Sequence, residues 1–91
     1  MDGIVRVRIT INNYAYLTGV ISSYNIKGMV GSWSIIYNNE SFGEAKMDES
    51  YLWGLTKIFK KLDVQIGDRI ALAFNTWNRT LSMKKVKYGT P

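Results

Sequence analysis

Residues 64–83, VQIGDRIALAFNTWNRTLSM, decide the fold class. Gly67-Asp68 supplies turn chemistry. Beyond it Ile70, Leu72 and Phe74 alternate with Arg69, Ala71 and Ala73, the period of two that sends successive side chains to opposite faces of a strand. The polar run Asn75-Thr76-Trp77-Asn78-Arg79 interrupts that alternation, and Leu81 and Met83 resume it. Two strands joined by a short polar loop predict a hairpin with one apolar face. Val86 and Tyr88 fall out of step with Leu81 and Met83, which predicts a bulge or a strand end near Lys84-Lys85.

Immediately upstream the period changes. Tyr51, Leu52, Leu55, Ile58, Phe59 and Leu62 fall on one stripe of a 3.6-residue repeat, which predicts an amphipathic helix near residues 50–62. Asp48, Glu49 and Ser50 stand where free N–H groups need acceptors, and Lys60 and Lys61 stand where the helix dipole favours cations. Farther upstream, Val5, Val7, Ile9 and Ile11 alternate with Arg6, Arg8 and Thr10 as a half-buried strand. Asn12-Asn13 and a β-rich run over residues 14–21 predict a first hairpin. Residues 22–34, with Gly28 and Gly31, read as an irregular crossing. Residues 33–37, the turn Asn38-Asn39-Glu40 and residues 42–47 predict a second hairpin.

The expected order is therefore ββββαββ, a β-rich α+β domain occupying all of residues 1–91, with about six strands curled into a small open or partly closed β-barrel and one helix as lid. Pairing of the first strand with the last would reduce exposed edges. With 46% apolar and 21% charged residues the 91-residue chain has the makings of one core.

The chain has no Cys and no His, which excludes disulfides, thiol nucleophiles, thiolate or imidazole metal sites and His-dependent triads. Glu40, Glu44, Asp48 and Glu49 cluster around a turn and a helix start, where capping accounts for them. No catalytic residue, metal or cofactor is expected, and the protein reads as non-enzymatic. The sequence shows neither a signal peptide nor an apolar membrane span, so a cytoplasmic location is expected. The triplets Asn39-Glu40-Ser41 and Asn78-Arg79-Thr80 have the form of glycan acceptors, but nothing marks the chain for secretion.

Charge gives the functional lead. Residues 1–56 hold 4 basic and 5 acidic side chains, net −1, whereas residues 57–91 hold 8 basic and 2 acidic, net +6. Lys57, Lys60, Lys61, Arg69, Arg79, Lys84, Lys85 and Lys87 can form a field that attracts phosphates. The competing reading has these lysines solvating a helix face and guarding an edge strand. Trp77, flanked by Asn75, Asn78 and Arg79 at a hairpin tip, can stack on a base while its neighbours reach base edges or phosphate, or it can fold back on the sheet. Arg6 and Arg8 share a strand face and either extend the basic surface or pair with Glu44 across strands. Tyr14, Tyr16, Tyr24, Trp33 and Tyr37 read as core and hairpin packing, with a single-strand-binding platform as the alternative, and Trp53 reads as half exposed, marking either an interface or a wide core face.

Trp33, Gly54-Leu55, Ile58-Phe59, Val64-Gln65-Ile66-Gly67-Asp68, Ile70 and Leu72 form a further pattern. Through them residues 33–74 resemble the central part of the DNA-binding pseudobarrel superfamily, which includes plant B3 domains and the N-terminal effector domain of EcoRII-type restriction enzymes. Trp53 precedes Gly54 where the family places a Trp after it, and the expected helix is longer. The resemblance implies a duplex-DNA partner clasped by two loop arms, and it transfers no base-reading residue. The expected partner is thus nucleic acid, duplex DNA favoured. The alternative is a protein-interaction module, such as a small inhibitor or adaptor encoded by a mobile element, docking through Trp53 and Trp77, and a homodimer is compatible with either.

Overall fold

The computed structural model describes residues 3–22 and 29–86. Among them the elements run β1 (Ile4–Thr10), a 3-10 turn (Tyr14–Thr18), β2 (Ile21–Ser22), β3 (Gly31–Tyr37), β4 (Glu40–Met47), β5 (Tyr51–Trp53), α1 (Thr56–Lys61), β6 (Arg69–Asn75) and β7 (Thr80–Val86). Two hairpins form as their alternation dictates. In β3–β4 the turn residues Asn38 and Asn39 both take positive φ, 51° and 64°, the conformation a tight hairpin turn demands and Asn tolerates. In β6–β7 the register runs unbroken from Asn75↔Thr80 to Arg69↔Val86, burying Ile70, Leu72, Phe74, Leu81 and Met83 on one face.

The strands make one seven-stranded mixed sheet, ordered β1-β6-β7-β3-β4-β5-β2 and curled into a half-barrel, which is the β-rich, barrel-like α+β class expected with one strand more. All neighbours are antiparallel except β3 and β7, which run parallel through Ser34↔Thr80 and Ile35↔Leu81. Trp33, Ile35, Ala45, Met47, Leu52, Leu55, Ile58 and Phe59 join the β6–β7 residues in one core. The Trp33 and Phe74 rings meet edge to face at 5.0 Å, and the Trp33 indole N–H donates to the Met29 carbonyl at 3.0 Å.

Several expectations are corrected. The first strand pairs with β6 rather than with the last strand, which lies between β6 and β3. Of the two readings near Lys84-Lys85, β7 carries no bulge and ends close by at Val86; the irregularity falls in β3–β4, where Phe42 and Gly43 together oppose Ile35. The first hairpin does not form, because residues 14–18 wind into the 3-10 turn and leave Tyr14 exposed, so that only Ile21–Ser22 is strand.

The helix is shorter than expected. Gly54 has φ +88°, and a Cβ there would stand 2.5 Å from the Glu44 carbonyl oxygen, so the chain turns sharply and only Thr56–Lys61 is helical. Tyr51 and Leu52 belong to β5, which satisfies its backbone in the sheet. Asp48 caps no helix. One carboxylate oxygen accepts the N–H groups of Tyr51 and Ser50, each at 2.7 Å, and these bonds hold its carboxyl below the usual range.

Candidate nucleic-acid interface

Register assigns the outward face of β1-β6-β7. Its rows are Ile4–Asn75–Thr80, Arg6–Ala73–Ser82, Arg8–Ala71–Lys84 and Thr10–Arg69–Val86. Every charged residue in the four rows is basic, and Arg6, Arg8 and Lys84 are exposed. Ala71 and Ala73 place nothing larger than a methyl group along β6, so the longer side chains of β1 and β7 rise on either side. The result is a depression of about 650 Å³ lined by Arg6, Arg8, Ala71, Ala73, Ser82 and Lys84 and by the backbone between them. Arg6 opposes Ala73 and Arg8 opposes Ala71, so neither is the cross-strand neighbour of Glu44, which lies on β4 opposite Ser34.

The β6–β7 tip lies one row beyond Arg6. The Asn75 side-chain oxygen accepts the backbone N–H of Trp77 at 3.0 Å and of Asn78 at 3.4 Å, while the Thr80 hydroxyl donates to the Asn78 side-chain oxygen at 2.7 Å. Both Asn acceptors are therefore building the turn. The tip is also tied to the start of β1, since the backbone N–H of Thr76 donates to the Gly3 carbonyl at 2.9 Å and its hydroxyl to the same oxygen at 2.7 Å. The Trp77 indole lies against the Gly3 backbone so closely that a Cβ at position 3 would come within 2.5 Å of the ring. It is nevertheless 71% exposed.

Arg79, the fourth member of the tip, turns away from solvent. Its guanidinium donates to the carbonyls of Ser32 at 3.3 Å and Val30 at 3.1 Å, and its central carbon lies 3.9 Å from the centroid of the buried Trp33 ring. Arg79 thus ties the tip to β3.

The remaining basic residues divide between layers. Lys84 and Arg69 belong to the outward face. Lys85 instead reaches the loop after α1, 3.1 Å from the Asp68 carboxylate and donating to the Asp63 carbonyl at 2.6 Å. Burial alone would raise the Asp68 pKa, but the Gln65 N–H and the Lys85 ammonium outweigh it and hold the carboxyl below its usual range. Lys57, Lys60 and Lys61 are exposed on α1, which packs on the opposite side of the sheet through Ile58 and Phe59. Lys87 lies outside the described residues. The eight late-chain cations therefore do not share one surface, and the outward face is completed by Arg6 and Arg8 from the other end of the chain. Their alternation showed that they point the same way; which strand lies beside them was not legible locally.

Tyr51 and Trp53 are half exposed on β5, at the far side of the sheet. No helix among the described residues is long and apolar enough to cross a membrane. Comparison with protein-family models, curated proteins and solved structures returns no match.

Proposed function

We propose that this protein is a non-enzymatic nucleic-acid-binding domain that holds phosphates on the outward face of β1-β6-β7. The observation that carries the reading is the alignment of Arg6, Arg8 and Lys84 around an alanine floor, with Arg69 in the next row, where one polyanion meets several cations at once. Asn75 and Asn78 serve by shaping the tip that presents Trp77, and Arg79 by anchoring it. The pseudobarrel resemblance belongs to this proposal for its DNA partner, although the charge distribution supports contact through a sheet face rather than through loop arms.

Fluorescence anisotropy with labelled oligonucleotides tests it. Replacing Arg8 and Lys84 together by Glu abolishes binding at moderate salt, whereas replacing Lys57, Lys60 and Lys61 by Ala leaves most of it. Equal losses in the two variants, or no binding by the native protein, would refute the reading.

A protein-interaction module is the second reading, and the half-exposed Trp53 favours it. Trp53 is opposite Lys46 and lines, with Glu44 and Gly54, a hollow of about 300 Å³. A partner that survives nuclease treatment and is lost with Trp53→Ser supports that reading. Retention of such a partner by Trp53→Ser removes Trp53 from it.

A further inference from the structure

Resting on the nucleic-acid reading, we propose that the depression on β1-β6-β7 seats a single unpaired strand, DNA or RNA, with Trp77 stacking on a base at one end. The first argument is width. From β1 to β7 is two strand spacings, about 10 Å, with β6 as the floor between them. A duplex is read by an element that protrudes into its major groove, about 12 Å across. This face is the reverse, recessed along Ala71 and Ala73 and flanked by longer side chains. One sugar-phosphate ribbon fits into such a recess, and a double helix rests only on its rims.

The second argument is spacing. The Arg8–Ala71–Lys84 and Arg6–Ala73–Ser82 rows are about 7 Å apart, two residues along a strand. Arg8 and Lys84 face each other across Ala71 and can bracket one phosphate; Arg6 and the Ser82 hydroxyl can bracket the next. An extended strand running along β6 meets one row per phosphate.

The third argument is Trp77. A solvent-exposed indole is an effective stacking platform when it is held in place, and this one is fixed by the Asn75 side chain under its backbone N–H and by the Gly3 backbone against its ring. Bases within a duplex have their faces covered by neighbouring pairs. An unpaired strand offers every face, so a fixed indole at the end of a phosphate track matches an unpaired partner.

Anisotropy titration of labelled dT12, U12 and a 12-base-pair duplex at two salt concentrations, with the native protein, Trp77→Ala and Gly3→Ala, tests the proposal. The native protein is expected to bind one or both single strands at least tenfold tighter than the duplex. Trp77→Ala is expected to weaken single-strand binding about tenfold. Gly3→Ala, which displaces the indole without changing charge, is expected to do likewise. A preference for dT12 over U12, or the reverse, tells which polymer the site suits. Duplex binding as tight as single-strand binding, or single-strand binding indifferent to both substitutions, overturns the single-strand inference while the nucleic-acid reading stands. Absence of binding to all three probes overturns both.

Discussion

The guanidinium of Arg79 sits over Trp33, its central carbon 3.9 Å from the ring centroid, so that the tip of the last hairpin is held against a fully buried aromatic of the core. A cation was expected here to reach outward for phosphate. It reaches inward because the backbone of Arg79 takes φ 57°, its carbonyl accepts the Ser34 N–H at 2.9 Å, and the carbonyls of Ser32 and Val30 lie within reach of its side chain.

Arg79→Ala is therefore expected to destabilise the fold by about 2 kcal/mol, from the lost ring contact and two carbonyls left without their donor. Arg79→Lys recovers less than half of this, because a single ammonium cannot stay over the ring and reach both carbonyls as two separate guanidinium nitrogens do. Urea denaturation followed by Trp fluorescence measures both variants, and an unchanged midpoint for Arg79→Ala would contradict the anchoring role.

Asp68 gives a pH dependence. Its carboxyl is held below the usual range, burial being outweighed by the Gln65 N–H and by Lys85. A depressed acid contributes stability above its unfolded-state pKa and loses it as pH falls through the folded-state value. Asp68→Asn should lower Tm at neutral pH, with the difference from the native protein shrinking under acid conditions. The pair is partly exposed, so the neutral-pH effect is expected to be small, under about 1 kcal/mol.

Gly54 is expected to tolerate no side chain. Gly54→Ala combines positive φ with a Cβ 2.5 Å from the Glu44 carbonyl oxygen and should destabilise by at least about 1 to 3 kcal/mol. Asn39→Gly, at a turn residue with φ 64°, should be neutral or stabilising by a few tenths of a kcal/mol. Thermal melts of the two variants provide the contrast.

Salt dependence counts the contacts. If Arg8 and Lys84 together bracket one phosphate of a single strand, replacing both by Ala should reduce the slope of log K against log salt by about 0.7. An unchanged slope would remove the pair from the contact surface.

Hairpins β3–β4 and β6–β7 were legible because alternation and turn chemistry act locally: Asn38-Asn39 and Asn75–Arg79 stand between runs of period two. The segment 14–21 was not, because its aromatic and β-branched residues suit a strand while its backbone bonds locally, Gly19 N–H to the Tyr16 carbonyl. Tyr51 and Leu52 fit a helical stripe, and it is pairing with β4 and β2, contacts between different elements, that makes them strand, with Gly54 packed close on Glu44 just beyond. The candidate site shows the same division. Trp77 and Lys84 were visible as site residues, but the partnership of Arg6 and Arg8 with Lys84 depends on β6 lying between the two ends of the chain.

That long-range partnership has a consequence for synthesis. β1 leaves the ribosome well before its partner, Arg69 to Asn75, so it must wait while the intervening elements are made. During that interval Val5, Val7 and Ile9 form a bare strand able to pair with another nascent copy. Arg6 and Arg8, interleaved among them, repel a like strand until β6 arrives, and so act as gatekeepers against aggregation.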